Sequence, residues 1–121
     1  MKVLFATLVV FISLTLTKGN IIDIAMQMIC KMNVEKPEKI NELRDCMDSI
    51  FKEKSDLLPD AIRECDFAKF PYQKYEDYAN EMCKEERYDD MQDVQKCIVD
   101  KFAAVHEDVE SILSEMIDKC L

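Results

Sequence analysis

Six cysteines, one histidine, several pairs of adjacent acids and a set of methionines are the residues of this chain with chemical potential. Cys30, Cys46, Cys65, Cys83, Cys97 and Cys120 are even in number and never fall in a C-x2-C or C-x4-C knuckle. Disulfides therefore suit them better than a zinc site. His106 is the only histidine, and a general base needs a nucleophile or substrate site beside it. The sequence offers neither, so an exposed or capping histidine is the simpler reading. Glu85-Glu86 and Asp89-Asp90 could serve acid-base chemistry or calcium, yet with 25 acids such pairs arise by chance, and a calcium loop needs a central glycine. They read as caps and solvated faces. The glycine-rich calcium loop and Cys-Cys-x-x-His-Asp helix of secreted phospholipase A2 are also missing. No catalytic residue, metal ligand or cofactor site is assigned, and a non-enzymatic protein is expected.

The methionines carry the other candidate function. Met26, Met28, Met32, Met47, Met82, Met91 and Met116 are many for a small core, and methionine adapts its shape to irregular apolar surfaces. One reading is a deformable cavity for a small apolar ligand, lined by Met26, Met47, Met82, Met116, Tyr72 and Tyr75. The other is ordinary filling between two half-domains, which is the commoner use of methionine.

Such residues need a compartment and a scaffold. Met1-Lys2, an apolar run from Val3 to Leu16, and small residues at Thr17 and Gly19 have the layout of a secretory signal peptide over residues 1–19. The run is short of the roughly 20 residues of a spanning helix. Residues 20–121 then form a single secreted, extracellular domain in which disulfides persist. Removing Lys2 and Lys18 with the leader moves the formal charge from −9 to −11. That acidity excludes nucleic acid and anionic membrane surfaces as partners and suits a soluble monomer.

Gly19 is the only glycine, which disfavours hairpins, phosphate loops and dinucleotide motifs together. Helices are what the apolar spacing supports. They are expected at about 21–32; from Pro37 through the stripe Ile40, Leu43, Met47, Ile50 and Phe51; at about 56–65 with Leu57, Leu58, Ala61, Ile62 and Cys65 on one face; at 72–87 after Pro71; from Asp89 or Asp90 through Met91, Val94, Ile98, Phe102 and Val105; and from Val109 to Cys120. The last two are expected to separate or bend near His106. The fold class is thus all-α, a disulfide-stapled bundle of about six helices.

Two stretches occur twice in pattern. Ile40 to Phe51 is matched by Met91 to Phe102, and Leu57 to Cys65 by Ile112 to Cys120. Cys30, Cys46 and Cys65 correspond to Cys83, Cys97 and Cys120, which makes the chain two pseudo-repeated three-helix halves, about 20–67 and 72–121. If each half closes on itself through short loops, Cys30 bonds Cys65, Cys83 bonds Cys120, and Cys46 is left to join Cys97 across the halves.

This plan resembles the small, secreted, all-helical six-cysteine proteins of arthropod glands and venoms, among them odorant-binding proteins. The gaps of 18 residues between Cys46 and Cys65 and 22 between Cys97 and Cys120 are longer than in odorant-binding proteins, so no residue role is carried over. The functional expectation is a secreted binding protein holding a small apolar ligand in a methionine-rich core. The alternative is a venom-type or secretory effector that binds another extracellular protein.

Overall fold

The structure, a computed structural model, describes the backbone of residues 18–121 and the side chains of residues 21–121. The apolar leader reading falls on residues outside this range. The described residues form six α-helices: α1 Lys18–Glu35, α2 Ile40–Lys54, α3 Leu58–Lys69, α4 Tyr75–Met82, α5 Tyr88–Ala104 and α6 Val109–Cys120. Single 3-10 turns at Pro37–Lys39 and Glu85–Arg87 lead into α2 and α5. No helix among them is long and apolar enough to cross a membrane.

Apolar periodicity explains the helix faces. Ile40, Leu43, Met47, Ile50 and Phe51 are all buried on α2, and Met91, Val94, Ile98 and Phe102 on α5. Val109, Ile112, Leu113 and Met116 are buried on α6, where the Asp108 carboxylate accepts the Ser111 N–H at 3.1 Å as a helix cap. Two elements depart from expectation. Leu57 precedes α3 and is 69 % exposed, because the helix starts one residue later, around Pro59, and continues past Cys65 to Lys69. The fourth helix is cut to Tyr75–Met82, since Lys84 adopts an extended backbone and Pro71 to Lys74 form an open connection. Asp89 and Asp90 lie inside the first turn of α5 rather than ahead of it, where their charge still complements the helix dipole.

The turn at His106 replaces a missing glycine. His106 has φ 60°, and its N–H donates to Ala103 O while Glu107 N–H donates to Phe102 O, both at 3.0 Å. This is a Schellman ending, usually built on glycine. It separates α5 from α6 and leaves the His106 side chain exposed, with a structural role in the backbone turn.

The bridges differ from the expected set. Cys30 bonds Cys83, Cys46 bonds Cys120, and Cys65 bonds Cys97, with Cα–Cα distances of 5.7, 5.8 and 5.7 Å. No half closes on itself. The most extensive helix contacts are α3 with α5 and α2 with α6, and α1 lies against α4. Each cysteine therefore faces the opposite half, and the assumption of locally closed halves is what fails. Exchanging the halves maps the observed set onto itself: Cys30 and Cys83 trade places, and the Cys46–Cys120 bridge becomes Cys97–Cys65. Phe51 and Phe102, at matching positions, meet edge to face at 6.0 Å.

Two stability outcomes follow from this framework. Cys46→Ser/Cys120→Ser and Cys65→Ser/Cys97→Ser should each cost about 4 kcal/mol in urea unfolding, because loop entropy grows only slowly with the 74- and 32-residue separations. A variant that loses nothing would show that its bridge is not part of the native frame. His106→Gly should raise stability by about 1 kcal/mol by relieving the left-handed backbone, and a fall in Tm would contradict that assignment.

Candidate functional site

Beneath α1 the helices leave a small, partly open cavity of about 50 Å³. Its apolar wall includes Met26, Met47, Met116, Ala25, Phe51 and Leu113, and one end is polar, formed by Arg44, Asp48, Asp66 and Tyr75. Four of the six residues expected to line a ligand site, Met26, Met47, Met116 and Tyr75, meet here. Met82 and Tyr72 do not. Met82 faces a surface groove of about 330 Å³, together with Met26, Met91, Tyr88 and the Cys30–Cys83 bridge. Tyr72 borders an open trough of about 650 Å³ with Phe70, Pro71 and Lys84. Among the described residues Met26 alone belongs to the walls of both the cavity and the groove.

The polar end is built on two buried charges. Arg44 on α2 and Asp66 on α3 are 8 % and 5 % exposed. Charged groups at that depth are stable only when paired. Arg44 Nε donates to Asp48 Oδ1 and Oδ2 at 3.1 and 3.2 Å, and Nη1 donates to the Tyr72 hydroxyl and lies 3.6 Å from Asp66 Oδ2. Arg63 Nη2 reaches the same Asp48 carboxylate at 3.2 Å. The guanidinium carbon sits 5.2 Å from the Tyr75 ring centre and 5.7 Å from that of Tyr72, within cation–π range. Tyr75 and Tyr78 stack at 5.6 Å behind it. Arg44 Nη2 and Tyr78 Oη find no hydrogen-bond partner among the described residues. Tyr78 Oη is near the Asp66 carboxyl but outside hydrogen-bond geometry.

Burial decides the ionisation of this cluster. It pushes the Asp66 carboxyl up to about 6, and the neighbouring Tyr78, Arg44 and Tyr72 only partly offset it. Burial also raises Tyr75 and Tyr78 well above the ordinary tyrosine range, so both hydroxyls stay protonated. For Arg44 burial opposes the charge, but Tyr72, Asp48, Tyr75 and Asp66 outweigh it and the guanidinium is held charged.

Arg44 and Asp66 are the residues that sequence reasoning missed, although a signal existed. Arg44 occupies the stripe position between Ile40 and Met47, and Asp66 lies four residues after Ile62. A charge at a core position of an amphipathic helix points to a buried pair. Gln95 is the matching case on α5: it is buried, and its amide donates to Asp23 Oδ1 at 3.2 Å. No group of three His, Cys, Asp or Glu side chains among the described residues is placed to hold a metal. No protein-family model, curated protein or solved structure matches the chain.

The raised Asp66 carboxyl makes stability depend on pH with a definite sign. The folded state holds this proton more tightly than the unfolded state, so the stabilisation is complete below about pH 4 and is lost as pH rises through about 6. Surface acids such as Glu81 and Asp90, lowered by Lys84 and Arg87 respectively, act in the opposite direction. Comparison of Asp66→Asn with the parent chain cancels them. The parent should lose about 2 kcal/mol relative to Asp66→Asn between pH 4 and pH 7, read by denaturant unfolding at each pH. Parallel profiles would place the Asp66 titration elsewhere.

Proposed function

We propose that this chain is a secreted, non-enzymatic binding protein that carries a small apolar molecule in its methionine-lined interior. The observation that carries the proposal is the convergence of Met26, Met47, Met116 and Tyr75 on one cavity, which shares its wall residue Met26 with a surface groove. The cavity alone, at about 50 Å³, is far below the roughly 300–1,000 Å³ of drug-sized ligand sites. The groove, at about 330 Å³, falls within that range. Methionine has three rotatable bonds and no branch, so Met26 can adapt its shape on both walls to an apolar ligand. Secretion is supported by the bridging of all six cysteines, a state that persists in oxidising compartments. The recurrence of buried positions 40, 43, 44, 47 and 51 at 91, 94, 95, 98 and 102 supports a duplicated ancestral unit.

A second reading has its own observation. Tyr88, on the rim of the groove, is 62 % exposed beside the nearly buried Met91, and an exposed aromatic next to an apolar cleft suits the docking of another protein's side chain. Binding of the fluorescent apolar probe N-phenyl-1-naphthylamine at micromolar concentration separates the two. Ala25 lines the cavity and is 2 % exposed, so Ala25→Val should fill that space and weaken probe binding about tenfold, or ~1.4 kcal/mol, with an unchanged Tm. Absence of probe binding to the parent chain would favour the protein-docking reading.

A further inference from the structure

We propose that the ligand is an apolar chain ending in an uncharged hydrogen-bond acceptor, a ketone, ester or alcohol oxygen, and that Arg44 Nη2 donates to that oxygen. The inference rests on the carrier reading and adds the chemistry of the ligand's head. A buried N–H without a partner is costly, and Arg44 Nη2 is such a group: the residue is 8 % exposed, borders the cavity, and has no partner for this nitrogen among the described residues. Its other nitrogens are committed to Asp48 on its own helix and to Tyr72 and Asp66 across the interface with α3 and the 70–74 connection. The ring of Tyr75 from α4 holds the guanidinium plane in place. Arg44 thus brings one uncommitted donor to the polar end of an otherwise apolar space.

Charge balance selects the head group. The cluster contains two guanidinium groups, Arg44 and Arg63, and two carboxyl groups, Asp48 and Asp66. A carboxylate ligand would bring a third negative charge against Asp48 and Asp66 in a site with little water to screen it, and an ammonium would face Arg44. An uncharged oxygen accepts the hydrogen bond without disturbing either pair. The apolar tail then lies along Met47, Met116 and Met26, the last of which also borders the groove of Met82, Met91 and Tyr88.

The test compares 2-octanone, octanoate and octane, which share a chain length and differ in the head. Each is measured by displacement of N-phenyl-1-naphthylamine, with saturation-transfer NMR as a second readout. The ketone should bind on the order of tenfold more tightly than octane, with octanoate the weakest. Arg44→Met should reduce the ketone to the level of octane while leaving octane binding in place. Because that variant leaves Asp66 without its cation and can fail to fold, the parent chain supplies an independent readout. The Arg44 guanidinium 15N resonances should shift with 2-octanone and stay fixed with octane. Equal binding of all three, preference for octanoate, or an unmoved Arg44 resonance overturns the head-group assignment and leaves the carrier reading standing. If none of the three binds, both fall together.

Discussion

Every disulfide in this molecule crosses from one half of the chain to the other, and the rest of the structure depends on that constraint. Cys30–Cys83 ties α1 to the residue that caps α4, Cys46–Cys120 ties α2 to α6, and Cys65–Cys97 ties α3 to α5. A chain of this size buries a modest core, and crossing bridges limit how far its helices can separate in the unfolded state. The apolar stripes of α2 and α5 are thereby held at the centre, where Phe51 meets Phe102. A frame fixed at three points tolerates two features that a looser bundle would not: a buried ion pair and a small internal cavity.

The ion pair and the cavity belong together. Arg44 and Asp66 stand at stripe positions where leucine or isoleucine would fill space, and a buried pair of this kind adds little net stability over apolar residues of similar volume. Its presence is explained better by a polar end for the cavity than by stability. The tyrosines serve the same end, since Tyr72 bonds Arg44 while Tyr75 and Tyr78 shield it from solvent. Methionines supply the opposite property along the remaining wall. One end of the cavity is rigid and charged; the other is apolar and deformable.

Much of this was legible in the sequence, and the failures in long-range pairing share one cause. Helix positions and buried faces follow from periodicity, as Leu43, Met47, Val94 and Ile98 illustrate. The break at His106 was anticipated, though not that histidine would take a glycine's conformation there. Four cavity residues were named from residue type alone. Long-range pairing was not accessible, because an amphipathic stripe records that a face is buried and not which helix covers it. That is why Cys46 was assigned to Cys97 and not Cys120, and why Met82 and Tyr72 were grouped with a cavity whose wall they do not form. Arg44 and Asp66 do not stand out by residue type, since charged residues mostly face solvent, and only their place on the apolar stripe marks them as buried.

The interlocked arrangement is tested most directly by peptide mapping of the protein under non-reducing conditions. The structure predicts fragments joined as Cys30 with Cys83, Cys46 with Cys120 and Cys65 with Cys97. A fragment joining Cys30 to Cys65, or Cys46 to Cys97, would mean that the halves close differently, and the cavity with its polar end at Arg44 would not be assembled as described.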